Sequence, residues 1–264
     1  MQAGKFETLT RAGFAARGIM YMLIGFLALK TGRSAGSDGA LEYLSSGAGR
    51  FLLAAMALGF LGYGVWRLSE ALLDTEGNGA DGKALALRGA GFLSGLIHLG
   101  LALYAAQLAS GTGGSGGSSD GAEQGAAAAL SLPGGQAMIL AAAAILLIAG
   151  VYQIIKAAKL SFLRHLDQGA AREAWVQWSG RLGYAARGLV FMAMAYFLWR
   201  AGRQDNSEEA AGTGDALSSL PPTLQITVAA GLFFFGLFSL VEARYRRIND
   251  PQVLERLGAK ASRS

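Results

Sequence analysis

The chain has no cysteine, two histidines and four prolines in 264 residues. Without cysteine there is no disulfide, no thiol nucleophile and no thiolate metal site. Two histidines, His98 and His165, are too few for a histidine-based metal centre, so neither a metal nor a cofactor is expected. Charge is scarce as well, at 16% of residues against about 25% in an ordinary soluble domain. There is no glycine-rich phosphate loop, no His-Glu-x-x-His motif, and no serine with His and Asp partners nearby. The paired carboxylates Glu208 and Glu209 lie in a Gly/Ala-rich stretch and read as solvated. These absences leave a lipid-modifying enzyme without a catalytic constellation, and the chain is expected not to be an enzyme.

What the chain does have is apolar sequence, 52% of it, with a mean hydropathy of +0.35. Six apolar segments stand out at 12–29, 51–72, 89–110, 136–155, 182–199 and 223–241. Each is near the roughly 20 residues that span a bilayer core as a helix. The first is not a cleavable signal peptide, because it lacks a small-residue cleavage site and belongs to a repeat. Counting Lys and Arg between segments puts 18 on the side of both termini and 5 on the other. By the positive-inside rule both termini are cytoplasmic. The net charge of +5 and pI of 9.6 arise beside apolar segments, which points to anionic lipid at the cytoplasmic face rather than to nucleic acid. Arg244, Arg246 and Arg247 are the expected headgroup contacts.

The outer loops are Gly/Ser-rich and each carries a short helical piece, at 38–44, 125–132 and 215–220, with Asp38 and Asp215 as helix caps. The run 111–117 reads as a flexible linker. Asn249-Asp250-Pro251 reads as the start of a short helix in a basic tail, 247–264. Trp66, Trp175, Trp178 and Trp199 fall at segment ends, as an interfacial belt does. The basic loop 158–180 suits an amphipathic helix on the membrane surface.

An internal repeat organises the chain. Arg11-Ala-Gly-Phe-Ala-Ala-Arg17-Gly18 returns as Arg181-Leu-Gly-Tyr-Ala-Ala-Arg187-Gly188, and in blurred form as Arg88-Gly-Ala-Gly-Phe-Leu-Ser94-Gly95. A second element, Gly64-Val-Trp, returns as Gly150-Val-Tyr and Gly236-Leu-Phe, 86 positions apart each time. The chain is thus three tandem helical hairpins: repeat one over 10–75, repeat two over 87–160 and repeat three over 180–246. Each hairpin crosses twice and returns to the same side, so the three are parallel and related about the membrane normal. The expected fold is an all-α, integral membrane six-helix bundle with pseudo-three-fold symmetry, one transmembrane domain over 1–264. Gly91-x-x-x-Gly95 and the glycines at 59, 62 and 64 are suited to close helix packing.

The Arg-x-Gly-aromatic-x-x-Arg-Gly openings and the Gly-Val-Trp, Gly-Val-Tyr and Gly-Leu-Phe segments resemble those of a family of bacterial membrane proteins built from three two-helix repeats and known only as a domain of unknown function. The resemblance covers essentially the whole chain. It implies six transmembrane helices in the bacterial cytoplasmic (inner) membrane and no reaction.

Only 12 uncharged residues follow Arg17 and Arg187 within their segments, about 18 Å of helix against a core of roughly 30 Å. The helices must therefore take both arginines into the membrane or thin the bilayer, and an arginine taken in either snorkels to the headgroups or finds a partner. Glu70 and Glu242, on the second helices, lie at similar depth. Pairing within each hairpin is expected, as an inter-helix Arg/Glu belt or an ion path. Repeat two has lost both members, with Ser94 for the arginine and Lys156 for the glutamate, which leaves Lys156 able to borrow a carboxylate from a neighbouring repeat. His98 lies within a span as a hydrogen-bonded packing residue or a proton relay. Arg67, Gln107 and Gln153 are expected to make interhelical hydrogen bonds.

Two functions fit. The leading one is a non-enzymatic scaffold or interaction protein of the envelope. The alternative is a small transporter or channel with a polar path near the pseudo-three-fold axis. A sealed axis of Gly, Ala and Leu speaks for the first, and a water-sized polar cavity for the second.

Overall fold

The structure is a computed structural model that describes residues 3–31, 36–74, 81–112 and 118–247. Most of the run 111–117, the tail beyond 247 with its Asn249–Pro251 helix start, and the Asp38 side chain lie outside the described residues. The helices are α1 (Ala3–Thr31), α2 (Ser37–Glu42), α3 (Gly49–Leu73), α4 (Gly82–Ser110), α5 (Ser118–Leu130), α6 (Gly135–Lys159), α7 (Gln168–Arg172), α8 (Ala174–Gln204), α9 (Thr213–Ser218) and α10 (Pro222–Tyr245). Among the described residues there is no strand, only an isolated bridge between Leu166 and Arg246.

Six helices, α1, α3, α4, α6, α8 and α10, are long and apolar enough to cross a membrane. In each the backbone satisfies its own hydrogen bonds, which is what a lipid environment demands. Their outward faces carry exposed Leu58, Leu61, Leu103, Leu147, Ile148 and Ile226. In water such a surface would be unfavourable at about 25 cal/mol per Å², whereas acyl chains solvate it at no cost. The fold is that of a multi-pass membrane protein.

The three hairpins are α1/α3, α4/α6 and α8/α10, yet the most extensive helix pairs join different repeats: α3 with α4, α6 with α8, and α10 with α1. The second helix of each repeat packs on the first helix of the next, and the last repeat closes back on the first. One glycine pair sits at the centre of each of these seams. A Cβ on Gly64 would fall 3.0 Å from the Gly95 carbonyl oxygen, one on Gly188 2.8 Å from that of Gly150, and one on Gly236 2.6 Å from that of Gly18. These are the glycines that mark the repeat in the sequence, so the repeat motif is the seam between repeats. Backbones that approach this closely gain dispersion contacts along their whole length, the main source of helix association in lipid.

Within hairpins the packing is unequal. In repeat one a Cβ on Gly13 would lie 2.6 Å from the Tyr63 Cβ, and one on Gly59 2.7 Å from the Ala16 Cβ. In repeat three Gly183 meets the Phe235 backbone and Gly231 meets Ala186 in the same way. The matching positions of repeat two are Ala90 and Ile145. Side chains there hold the helices apart, and α4 touches α6 only weakly.

The start of α1 and the end of α10 share one face, where the Arg11 guanidinium donates to the carbonyls of Ala243, Arg244 and Arg246. The segment after α6 lies against the same corner, with the Asp167 N–H on the Tyr245 carbonyl and the Arg247 N–H on that of His165. It is not the long amphipathic helix expected over 158–180. A 3₁₀ turn (Ser161–His165) and α7 occupy its first part, and α8 has begun by Ala174, leaving Trp175 and Trp178 exposed on the first turns of a spanning helix. On the opposite face α2, α5 and α9 are the short helices expected in the loops. Asp215 is three residues into the α9 motif, where its carboxylate accepts the Gly212 N–H, rather than being the N-cap itself.

Candidate functional site

Every first-helix motif begins a turn or two inside the face that carries the start of α1 and the end of α10, and the second-helix motifs return to the same depth. Their inward positions therefore form a layer. On the second helices the layer consists of repeat-equivalent triples: Arg67, Gln153 and Ser239; Glu70, Lys156 and Glu242; Tyr63, Ala149 and Phe235. On the first helices it consists of Arg17, Ser94 and Arg187, with Tyr21, His98 and Phe191 one turn deeper.

Arg17 is 3% exposed and fully engaged. Its Nη2 donates to Glu242 Oε2 at 2.5 Å and to Ser239 Oγ at 3.1 Å, its Nε also reaches Ser239 Oγ, and its Nη1 donates to the Tyr63 hydroxyl. The rings of Phe14, Tyr63 and Phe235 surround the guanidinium at 4.8 to 5.1 Å. The other oxygen of Glu242 accepts from Arg246 Nη1 at 2.7 Å. One buried carboxylate thus bridges two guanidiniums, one from each end of the chain.

Two expectations are corrected here. The first concerns pairing within a hairpin. Arg17 of repeat one pairs with Glu242 of repeat three, because α1 lies along α10 at the seam, while Glu70 is held by Arg67 on its own helix. The second concerns Arg246, expected at the headgroups. It is buried against the rings of Phe14 and Trp66, at 5.0 and 5.2 Å, because α10 ends at Tyr245 and the bridge to Leu166 turns Arg246 toward the interior. Arg244 and Arg247 are exposed. Trp66 likewise belongs to this interior cluster rather than to an interfacial belt, and Gln107 is exposed near the end of α4. The i, i+4 spacing of Glu242 and Arg246 is a legible signal for their contact. So is the recurrence of a polar residue at positions 67, 153 and 239 in all three repeats, which marks an inward face.

Arg187 is the odd member. It is 9% exposed, donates from Nε to the Tyr21 hydroxyl at 3.1 Å, and lies over Phe191, Phe235 and Tyr21 at 4.6, 5.0 and 5.6 Å. Among the described residues no carboxylate forms an ion pair with it. Lys156 stacks over the Tyr184 ring at 4.7 Å and lies within the electrostatic reach of Glu242. His98 is 4% exposed; its Nδ1 lies 2.7 Å from the Ser94 carbonyl, and among the described residues Nε2 has no hydrogen-bond partner. A carbonyl only accepts, so the proton sits on Nδ1 and a neutral His98 presents Nε2 as an acceptor.

These side chains border a cavity of about 200 Å³. It is lined on one side by Arg17, Tyr21, Tyr63 and Arg67, on another by Ser94, His98, Gln153 and Lys156, and on the third by Arg187 and Phe191, and it extends to Thr213 near the opposite face. The cavity lies where repeat two is deficient. Tyr63 and Phe235 fill their places in repeats one and three, and Ala149 stands at that position in repeat two; Phe14 and Tyr184 correspond to Gly91. The charges around it are unbalanced, with Arg17, Arg67, Lys156, Arg164, Arg187 and Arg246 against Glu70 and Glu242. Such a chamber attracts anions.

Six spanning helices in three interlocked hairpins around a cationic chamber define a repeat-built multi-pass membrane protein. The chain belongs to the family described as Domain of Unknown Function (DUF1206), whose profile matches three times, over residues 12–74, 90–159 and 182–246. It is 28% identical over 251 residues to the uncharacterized protein YxxB of Bacillus subtilis (strain 168), covering 90% of each chain. No solved structure matches it.

Proposed function

We propose that the protein is a non-enzymatic binder of an anionic ligand, of the transporter or channel class, with its site in the chamber beside repeat two. We further propose that it resides in the bacterial cytoplasmic membrane with both chain ends inside and anionic lipid around its basic face. The observation that carries the reading is Arg187, a buried guanidinium that faces the cavity and has no carboxylate partner among the described residues. A passive scaffold has no use for such a group: an unpaired charge in a membrane interior costs several kcal/mol and is tolerated where something binds it. The Arg17–Glu242–Arg246 network is by contrast satisfied internally and supports the walls. The two carboxylates at the site are both engaged by arginines, which leaves neither of them free as an acid or base for a reaction.

Purified protein in detergent and in liposomes tests this with chloride, sulfate, phosphate and glycerol phosphate. The wild type is expected to be stabilised saturably by at least one of them and to release it from loaded liposomes. Arg187→Gln is expected to weaken that binding about tenfold, a charge-assisted hydrogen bond being worth about 1.5–3 kcal/mol. Neither stabilisation nor efflux with any of the four anions would overturn the solute-path reading.

A further inference from the structure

We propose that the gap between α4 and α6 is a lateral door through which the hydroxyl-bearing headgroup of an anionic phospholipid enters the chamber from the bilayer, its phosphate received by Arg187. The proposal rests on the chamber being an anion site and does not require that a solute crosses the bundle.

The door follows from the sequence differences between repeats. Hairpins one and three are closed by glycines at both contact positions, Gly13 with Gly59 and Gly183 with Gly231. Hairpin two carries Ala90 and Ile145 there, and nothing closer than the Ile145 Cδ1, at 4.0 Å, would meet a Cβ on Gly89. Consequently α4 and α6 are the least buried spans, at 33% and 22%, against 39% to 61% for the other four. Ile97 lines the cavity and is 51% exposed, so the chamber is open at that position on α4.

The lining is graded in the way an amphiphile requires. Leu93, Ile97, Ile145 and Leu146 flank the gap, and Arg187, Gln153 and Lys156 lie within. An ion arriving from water gains nothing from an apolar doorway. A phospholipid does, because its acyl chains stay in the bilayer against those side chains while only the headgroup moves inward. Arg187 offers the planar fork that suits a phosphate, with one of its nitrogens anchored on the Tyr21 hydroxyl. His98 adds a preference. Its Nε2 is a buried acceptor without a partner among the described residues, and a buried polar atom left so costs about 1–3 kcal/mol. A headgroup hydroxyl supplies the missing donor beside the phosphate, as in phosphatidylglycerol; a choline headgroup supplies none and brings a positive charge into a cationic chamber.

Native mass spectrometry of the detergent-purified full chain, titrated with equal amounts of phosphatidylglycerol and phosphatidylcholine, tests the proposal. The wild type is expected to retain phosphatidylglycerol with at least a tenfold preference. Arg187→Gln is expected to lose the preference. Ala90→Gly with Ile145→Gly, which gives hairpin two the contact glycines of its neighbours, and Ile145→Trp, which fills the gap, are each expected to lose the lipid while keeping stabilisation by glycerol phosphate. Equal retention of the two lipids by the wild type overturns the proposal, even if neither gap variant folds. So does a preference that survives in Arg187→Gln or in folded gap variants, since the lipid would then be annular. Binding of glycerol phosphate without lipid preference removes the door and leaves the anion chamber; lipid preference without solute efflux keeps the door and removes the solute path.

Discussion

Glu242→Ala is expected to be among the most destabilising single substitutions in the chain, at about 3–5 kcal/mol, the range for removing one partner of a buried ion pair. The carboxylate is 1% exposed and binds Arg17 through one oxygen and Arg246 through the other. Its loss leaves two guanidiniums in an aromatic cage with no counter-charge. Ser239 and Tyr63 still accept from Arg17, so hydrogen bonding is only partly lost and the stranded charge accounts for most of the destabilisation. Glu242→Gln retains the shape and is expected to recover little. Repeat two shows the compatible state: it carries Ser94 where repeat one has Arg17 and Lys156 where repeat three has Glu242. Arg17→Ser on the Glu242→Ala background is therefore expected to restore part of the stability, because it removes a stranded charge. Glu70→Gln is expected to cost less, since its partner Arg67 lies on the same helix and is more exposed. Unfolding in mixed micelles by detergent titration measures all four; a Glu242→Ala protein as stable as wild type would refute the network's role.

The second large effect is steric. Gly236→Val is expected to separate α10 from α1. The first carbon of the new side chain would lie 2.6 Å from the Gly18 carbonyl oxygen and 2.5 Å from the Met22 Cγ, and the oxygen belongs to a helix backbone that cannot move alone. Overpacking costs about 1–3 kcal/mol where side chains can yield; here the rest of the valine must also be housed, and the seam that closes the ring of repeats opens. Loss of the monodisperse gel-filtration peak, or a thermal midpoint lowered by more than about 5 °C on the scale of a few degrees per kcal/mol, is the expected result. Gly100→Val is the control. It lies on the exposed side of α4 with nothing within 4 Å of its Cβ, and is expected to behave as wild type.

The fold is legible in the sequence because its three signals, apolar segments of spanning length, charge asymmetry and a repeated motif, are local. The seam is half legible: Gly18, Gly64, Gly95, Gly150, Gly188 and Gly236 advertise close packing, but no periodicity says that they meet between repeats rather than within hairpins. That choice is a matter of three-dimensional closure. It also explains why the expected pairs, Arg17 with Glu70 and Arg187 with Glu242, are not those that form. Equal depth allows several partners, and only the ring order of helices selects Glu242 for Arg17. Arg246 has the sequence surroundings of a headgroup contact because its neighbours Arg244 and Arg247 are basic, and both are exposed; the turn that returns Arg246 to the interior depends on its bridge to Leu166, a contact distant in sequence. The chamber is visible when the repeats are aligned, in Gly91, Ser94, Ala90, Ile145 and Ala149, as a set of departures. Their common consequence emerges only when the two helices of repeat two stand side by side.

The cysteine-free chain makes one measurement decisive for the chamber. Ala149→Cys places a single thiol where repeats one and three have aromatic rings, and Leu232→Cys places one at a fully buried position. We expect an anionic methanethiosulfonate reagent to modify Ala149→Cys, faster than its cationic counterpart does, and to leave Leu232→Cys unmodified in the folded protein. Failure to label Ala149→Cys, or faster labelling by the cationic reagent, would contradict a cationic chamber beside repeat two.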